Sequence, residues 1–350
     1  MIKFTNLGRA YAELQEELQN AYNEIHSSGQ VSNGKYCNLV EEDLKRITQR
    51  KFAKMFPSGT SAILGALLAW DIKNKKVACT NYSYTASANQ AALLNDVELF
   101  DVDKNGLIEL KEQITHDACI PVSLFGNTVD YDEFYKSIGT NTKVIVDCAQ
   151  SLGAKYKGKP DGSFGDVAVF SFSTNKPVPT AGTHGALVWD DENMTDIIKQ
   201  VANNGKLGRN APINSFGING SAYELQACQI YFGLKRLEKW QTRREKISKY
   251  YIETLADLPL SYIVPNKHCA SNFHKFVLLH EKRDAIHDHL KANNVDVQKH
   301  YTDSFNDFFG DKKEMANTTM LCNSVLSIPN NQWLTDAEVE TVAETIRKFF

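Results

Sequence analysis

The chain has no long run of like charge and no long apolar run. Its 39 lysines and arginines nearly balance 42 aspartates and glutamates, so the net charge is only −3. A nucleic-acid binder would carry a basic stripe, and none is present. An anionic ligand must therefore be held by a local site rather than by the field of the whole protein. The longest apolar stretch, Ala62 to Trp70, is too short to span a bilayer. The opening residues MIKFTNLGRAYAELQEEL lack the apolar core and cleavage site of a signal peptide. The seven cysteines are odd in number, widely spaced and without a CxxC pair. That argues against a disulfide framework or zinc ribbon and predicts a reducing, cytoplasmic compartment. No HExxH occurs, and His287 and His289 are two apart, so they share no helix face. No metal site is expected. The hydrophobic fraction of 42% and the 350-residue length exclude disorder and allow a large core with a second, smaller unit.

The chain alternates between helical and strand patterns. Ala10, Leu14, Leu18, Ala21 and Ile25 recur at helical spacing. Residues 38–50 read as a second helix. Gly59 to Trp70 is apolar on nearly every face, which implies burial. Short β-rich runs follow at 76–79, 97–100, 118–122 and 144–146, separated by helical stretches. Such alternation predicts a mostly parallel sheet covered on both faces. Two further runs, Asp166 to Phe172 and Gly185 to Trp189, lie closer together. A helical region from about Ala222 to Tyr251 carries two apolar stripes. Beyond it, Phe273 to Leu279 is strand-like, Arg283 to Ala292 is helical, and Thr335 with Glu338 forms a capping-box pattern before a closing helix. The expected division is a large domain over 1–245 and a smaller α+β domain over 246–350.

Four segments could carry chemistry. In SFGDVAVFSFSTNKP a β-rich run ends in Ser171, and Lys176 follows in a loop. Such a lysine is usually a solvated charge. With a lowered pKa its amine can instead form a Schiff base with a carbonyl cofactor. In VIVDCAQ, Asp147 ends a buried strand, where open α/β sheets bind ligands. A carboxylate there can hold a ring nitrogen protonated, since one charge-assisted hydrogen bond supplies about 1.5–3 kcal/mol. In PSGTSAILGALLAW the Ser58-Gly59-Thr60-Ser61 turn opens a buried helix. It is either a plain N-cap or an anion seat. In TNYSYTASANQ, Tyr84 is either core or an aromatic cover for a planar ring. An imine lysine, an acid for a ring nitrogen, a phosphate seat and a ring cover together describe a site for pyridoxal 5′-phosphate (PLP), an electron-sink cofactor.

The chain resembles the DegT/DnrJ/EryC1/StrS sugar aminotransferases, PLP enzymes of fold type I. The resemblance rests on SGTSA at 58–62, NYSYTASAN at 81–89, PVSLFGNTVD at 121–130, VDCAQSLGAKYKGKPDGSFGD at 146–166, SFSTNK at 171–176, GINGSAYELQA at 217–227 and KHY at 299–301. It implies an α/β fold with a mostly parallel mixed sheet in the large domain. By resemblance, Lys176 is the catalytic lysine that binds the cofactor and moves the proton. Asp147 pairs with the pyridine nitrogen and Gln150 with the ring hydroxyl, while Tyr84 stacks on the ring. Gly59, Thr60, Ser61 and Ser171 hold the phosphate, and Asn219 reaches it from the neighbouring subunit of a homodimer with shared active sites. His300 and Tyr301 lie near the sugar-nucleotide pocket.

The implied reaction passes an amino group from an amino acid, usually L-glutamate, through pyridoxamine 5′-phosphate to a nucleotide-linked keto sugar. The expected substrate is a 4-keto-6-deoxy sugar, with a 3-keto sugar as the alternative. In the related PLP-dependent sugar dehydratases a histidine replaces the lysine, so Lys176 argues against that class. A non-catalytic sensor need not keep an imine lysine. Three departures from the family pattern are expected near the substrate: Pro177 and Pro179 after the lysine in place of an acidic glycine turn, Asn204 for a histidine, and Ser123 for a histidine. Lys206 and Arg209 could meet a diphosphate, although such residues are more often surface charges.

Overall fold

The computed structural model describes residues 1–208, 210–310 and 313–350. Two helices, α1 (Leu7–Ser28) and α2 (Lys35–Thr48), precede the first strand, β1 (Phe52–Phe56). Helix α3 (Gly59–Ala69), strand β2 (Lys76–Thr80), helix α4 (Ala86–Ala92) and strands β3 (Asp96–Phe100), β4 (Ala118–Ile120) and β5 (Lys143–Asp147) follow. After a short hairpin, β6 (Lys155–Tyr156) and β7 (Lys159–Pro160), come β8 (Val167–Ser171) and β9 (Gly185–Trp189). Seven of these strands form one sheet in the order β1-β9-β8-β5-β4-β2-β3. Strand β9 alone runs antiparallel to its neighbours β8 and β1; the other pairings are parallel.

Both faces of the sheet are covered, as its unbroken apolar strands require. One face packs against α1, α2 and the helix Glu224–Leu234. The other packs against α3, α4 and Met194–Val201. Helix α3 is apolar all round because it lies directly on the sheet. A Cβ at its Gly65 would come within 2.7 Å of the Phe56 ring, so glycine is what permits that approach.

The long helix expected over 222–251 is two helices, Glu224–Leu234 and Leu237–Thr254. The break falls where Gly233 packs tightly: a Cβ there would meet Val178 at 2.6 Å and Trp240 at 3.2 Å. The chain turns after this contact, and Arg236 N–H donates to Gly233 C=O at 2.9 Å. The boundary expected near 245 falls inside Leu237–Thr254. Beyond it, β10 (Ser261–Tyr262), β12 (Phe276–Leu279) and β13 (Val325–Ile328) form a small antiparallel sheet in the order β10-β12-β13. Between β10 and β12, strand β11 (Cys269–Ala270) returns to pair with β6. The small sheet has its own core, with residues from Leu237–Thr254, Arg283–Ala292 and Asp336–Arg347. Thr335 and Glu338 form the expected capping box. Among the described residues, no helix is long and apolar enough to cross a membrane.

Candidate active site

Most of the site is built at the carboxyl ends of the parallel strands, the usual ligand position in such sheets. A cavity of about 380 Å³ opens there. From β1 the chain passes through Pro57 into α3, with Ser58 as N-cap. Ser58 Oγ accepts from Ser61 N–H at 3.0 Å, and Ser61 Oγ accepts from Ser58 N–H at 3.0 Å. The capping box thus uses the Ser61 hydroxyl, and the cavity is lined by Ser58, Gly59 and Thr60 rather than by Ser61. The first N–H groups of a helix have no intrahelical acceptor, and they carry its positive dipole end. Ser171, at the end of β8, faces the same helix start: a Cβ on Gly59 would sit 3.0 Å from Ser171 Cβ. Close packing of glycine, helix start and hydroxyl makes a seat for a phosphate.

Asp147 ends β5 and is buried. Its Oδ2 accepts from Ser87 Oγ at 2.6 Å and its Oδ1 from Ala149 N–H at 2.9 Å. These bonds fix the carboxylate where it lines the cavity. Lys176 sits in the loop between β8 and β9. Thr180 Oγ1 and Ala181 N–H both donate to Gln229 Oε1, at 2.7 and 2.8 Å, which anchors that loop to Glu224–Leu234. Burial lowers the Lys176 ammonium below its ordinary value, and the Asp147 carboxylate opposes that shift. Lys176 Nζ lies 5.9 Å from the centre of the Tyr84 ring. Tyr84 is 56% exposed, so it flanks the open side of the cavity rather than joining the core.

Gln150 is buried. Its Oε1 accepts from Phe125 N–H at 3.1 Å, and its Nε2 donates to Tyr301 OH at 3.2 Å. Tyr301 stands 6.4 Å from Tyr84, ring centre to ring centre. His300 Nδ1 meets Ser327 Oγ at 2.9 Å. Burial, reinforced by Lys275 and Lys176, drives its imidazole far below the ordinary value, so the ring is neutral.

Of the residues nominated from the sequence, Gly59, Thr60, Tyr84, Asp147, Gln150, Ser171, Lys176, His300 and Tyr301 line this one cavity. Ser61 and Asn219 do not. Asn219 is exposed, and its Oδ1 accepts from Ser221 N–H at 3.3 Å. Two of the departures expected near substrate also lie elsewhere: Ser123 is fully buried and Asn204 is exposed in a loop, neither on the cavity wall. Pro177 and Pro179 line a small adjoining pocket behind Lys176. Lys206 lies off the cavity wall, and Arg209 falls outside the described residues.

Sequence reasoning missed Ser87, which braces Asp147, and Thr183 and Lys275, which line the cavity. Ser87 lies inside the NYSYTASAN block and was legible only once its hydroxyl met Asp147. Lys275 carried a signal of its own, a charge inside the apolar run FHKFVLL.

A site with an amine, a fixed acid, a phosphate seat and a flanking aromatic fits PLP. Comparison with known proteins agrees. The DegT/DnrJ/EryC1/StrS aminotransferase family matches residues 12–347. The chain is 25% identical over 360 residues to UDP-2-acetamido-2-deoxy-3-oxo-D-glucuronate aminotransferase of Pseudomonas aeruginosa, covering 99% of each chain. It is 27% identical over 339 residues to UDP-4-amino-4,6-dideoxy-N-acetyl-beta-L-altrosamine transaminase of Campylobacter jejuni, covering 90% of each. A solved DegT/DnrJ/EryC1/StrS aminotransferase from Brucella abortus superposes with a TM-score of 0.92 at 22% identity, over 100% of this chain and 99% of that one. With nearly its whole length matched, the chain belongs to the DegT/DnrJ/EryC1/StrS aminotransferase family.

Proposed function

We propose that the protein is a PLP-dependent aminotransferase that moves an amino group from an amino acid, L-glutamate, to the 4-keto group of a nucleotide-linked 6-deoxy sugar. The observation that carries this reading is that Lys176 and Asp147 line one cavity with a helix-start anion seat between β1 and β8. The cofactor, when bound, supplies an electron sink for the carbanion that proton removal leaves.

The chain's own residues do the rest. The α3 start at Gly59 and Thr60, with Ser171, holds the phosphate. Asp147, braced by Ser87 and Ala149, would hold the ring nitrogen protonated. Gln150 and Tyr84, both on the cavity wall, would meet the ring hydroxyl and the ring face. Lys176 Nζ would hold the cofactor's carbonyl carbon, and its amine would move the proton at the substrate's reacting carbon. Its depressed pKa suits that work, because an unprotonated amine is needed to accept a proton. The neutral His300 and Tyr301 stand on the sugar side.

The Campylobacter relative, named for a 4-amino sugar, supports amination at C4. The Pseudomonas relative, named for a 3-oxo sugar, supports C3 as the second reading. Because Asn219 is exposed and off its own cavity, we read it as a residue lent to a second copy in a cytoplasmic homodimer.

The test is incubation with PLP, L-glutamate and a panel of 3-keto and 4-keto sugar nucleotides, with products identified by mass and NMR. The expected product is a 4-amino sugar nucleotide, and Lys176→Ala abolishes turnover. Full activity in that variant, or no amination of any keto sugar, overturns the reading.

A further inference from the structure

Lys275 sits at the mouth of β12, in a segment otherwise apolar. It is only 8% exposed. Its Nζ lies 4.9 Å from the centre of the Phe4 ring, and no carboxylate or hydrogen-bond acceptor meets it among the described residues. Its Nζ keeps accessible surface toward the cavity, and an ammonium drawn largely out of water with no counter-charge is costly. Burial first, and the charge of Lys176 second, push it down to about 7. Its side chain lines the main cavity beside Lys176 and also the small pocket behind it.

The cationic side chains on the cavity wall, among the described residues, are Lys176 and Lys275; His300 is neutral. Under the function proposed above, Lys176 is taken up by cofactor binding and proton transfer. Every amino acid donor brings a carboxylate on the carbon that reacts. Drawing that carboxylate out of water requires a paired cation. We propose that Lys275 seats a substrate carboxylate, that of the amino donor, and so fixes the donor's reacting carbon on the Lys176 side of the cavity; this rests on the transaminase reading. The bound carboxylate supplies the missing counter-charge and keeps Lys275 protonated. The cation of Lys275 over Phe4 then links the N-terminal segment to substrate binding. A sugar that itself carries a carboxylate is the other source of the same chemistry.

The experiment compares wild type, Lys275→Met and Lys275→Arg as holoenzymes. The donor arm follows the loss of the cofactor's visible band with L-glutamate in single turnover. The acceptor arm follows its return from the amine-loaded form with a neutral 6-deoxy keto sugar nucleotide and, separately, with a keto uronate sugar nucleotide. Glutarate, which has a carboxylate but no amino group, is titrated by calorimetry as a binding readout independent of turnover. Lys275→Met raises the L-glutamate half-saturation concentration and the glutarate dissociation constant at least tenfold. Lys275→Arg restores most of both, and the neutral sugar is unaffected. A loss confined to the uronate sugar keeps the carboxylate seat but assigns it to the sugar. Unchanged L-glutamate, glutarate and uronate-sugar responses in Lys275→Met overturn the inference. A wild type that converts no amino acid overturns the transaminase reading instead, so the two failures are distinct.

Discussion

Gly59→Ala isolates the phosphate seat from the rest of the site. The added methyl would sit 3.0 Å from Ser171 Cβ, 3.4 Å from Ser171 Oγ and 3.5 Å from Phe170 C=O. Carbon atoms rest at about 3.5–4.0 Å, so the start of α3 and the end of β8 must separate by about half an ångström. Alanine's advantage over glycine, about 1 kcal/mol in a helix interior, is smaller at Gly59, the first residue of α3, so it offsets only part of the clash. The gap between the helix N–H groups and the Ser171 hydroxyl changes as well, and a phosphate can then reach one side or the other but not both well. The loss of one charge-assisted hydrogen bond costs about 1.5–3 kcal/mol. That weakens binding between about tenfold and about a hundredfold. Pyridoxamine 5′-phosphate is the right probe because it binds without the covalent link to Lys176. Its dissociation constant is measured by calorimetry against cofactor-free wild type and variant, with urea denaturation as the stability control. A variant that binds pyridoxamine 5′-phosphate as tightly as wild type while folding normally refutes the assignment of Gly59 and Ser171 to the phosphate.

Two further expectations follow from particular contacts. Glu224 is buried and accepts N–H bonds from Gly34, Tyr36 and Cys37 at 2.9, 2.8 and 3.0 Å, closing the start of α2. Glu224→Ala orphans these donors and destabilises the fold by about 3 kcal/mol, read as a lower urea midpoint, with Glu224→Gln losing about half as much; a midpoint within error of wild type would contradict the contact's importance. Asn219→Ala leaves the cavity of its own chain intact, so any loss of cofactor on dialysis of the variant reports on a second copy, and full retention argues against the shared site.

The motif segments were legible because each is local. The apolar face of α3, the acid at the end of a valine-rich strand and the serine–glycine turn between β1 and α3 are all written within a few consecutive residues. Local patterns also gave the alternation that makes a covered parallel sheet. They gave one continuous helix over 222–251, however, where the structure has two. The turn depends on how closely Gly233 packs against Val178 and Trp240, and Val178 lies in the distant Lys176 loop. Resemblance implies Ser61 as a phosphate ligand; in the structure its hydroxyl joins Ser58 in the capping box and does not line the cavity, a pairing that only the folded helix start shows.

By itself the sequence carried the fold class in its alternation of helical and strand patterns, the family in the resemblance of its motif blocks, and the placing of each motif at a strand end or a helix start, because those are local properties of the chain. Tertiary structure alone decided which hydroxyls and cations face the cavity. Ser87 reaches Asp147 across 60 residues, and Lys275 reaches the wall beside Lys176 only because β12 of the small sheet packs there. Burial and the absence of a partner depend on side chains that distant segments bring together, and no window of consecutive residues contains them.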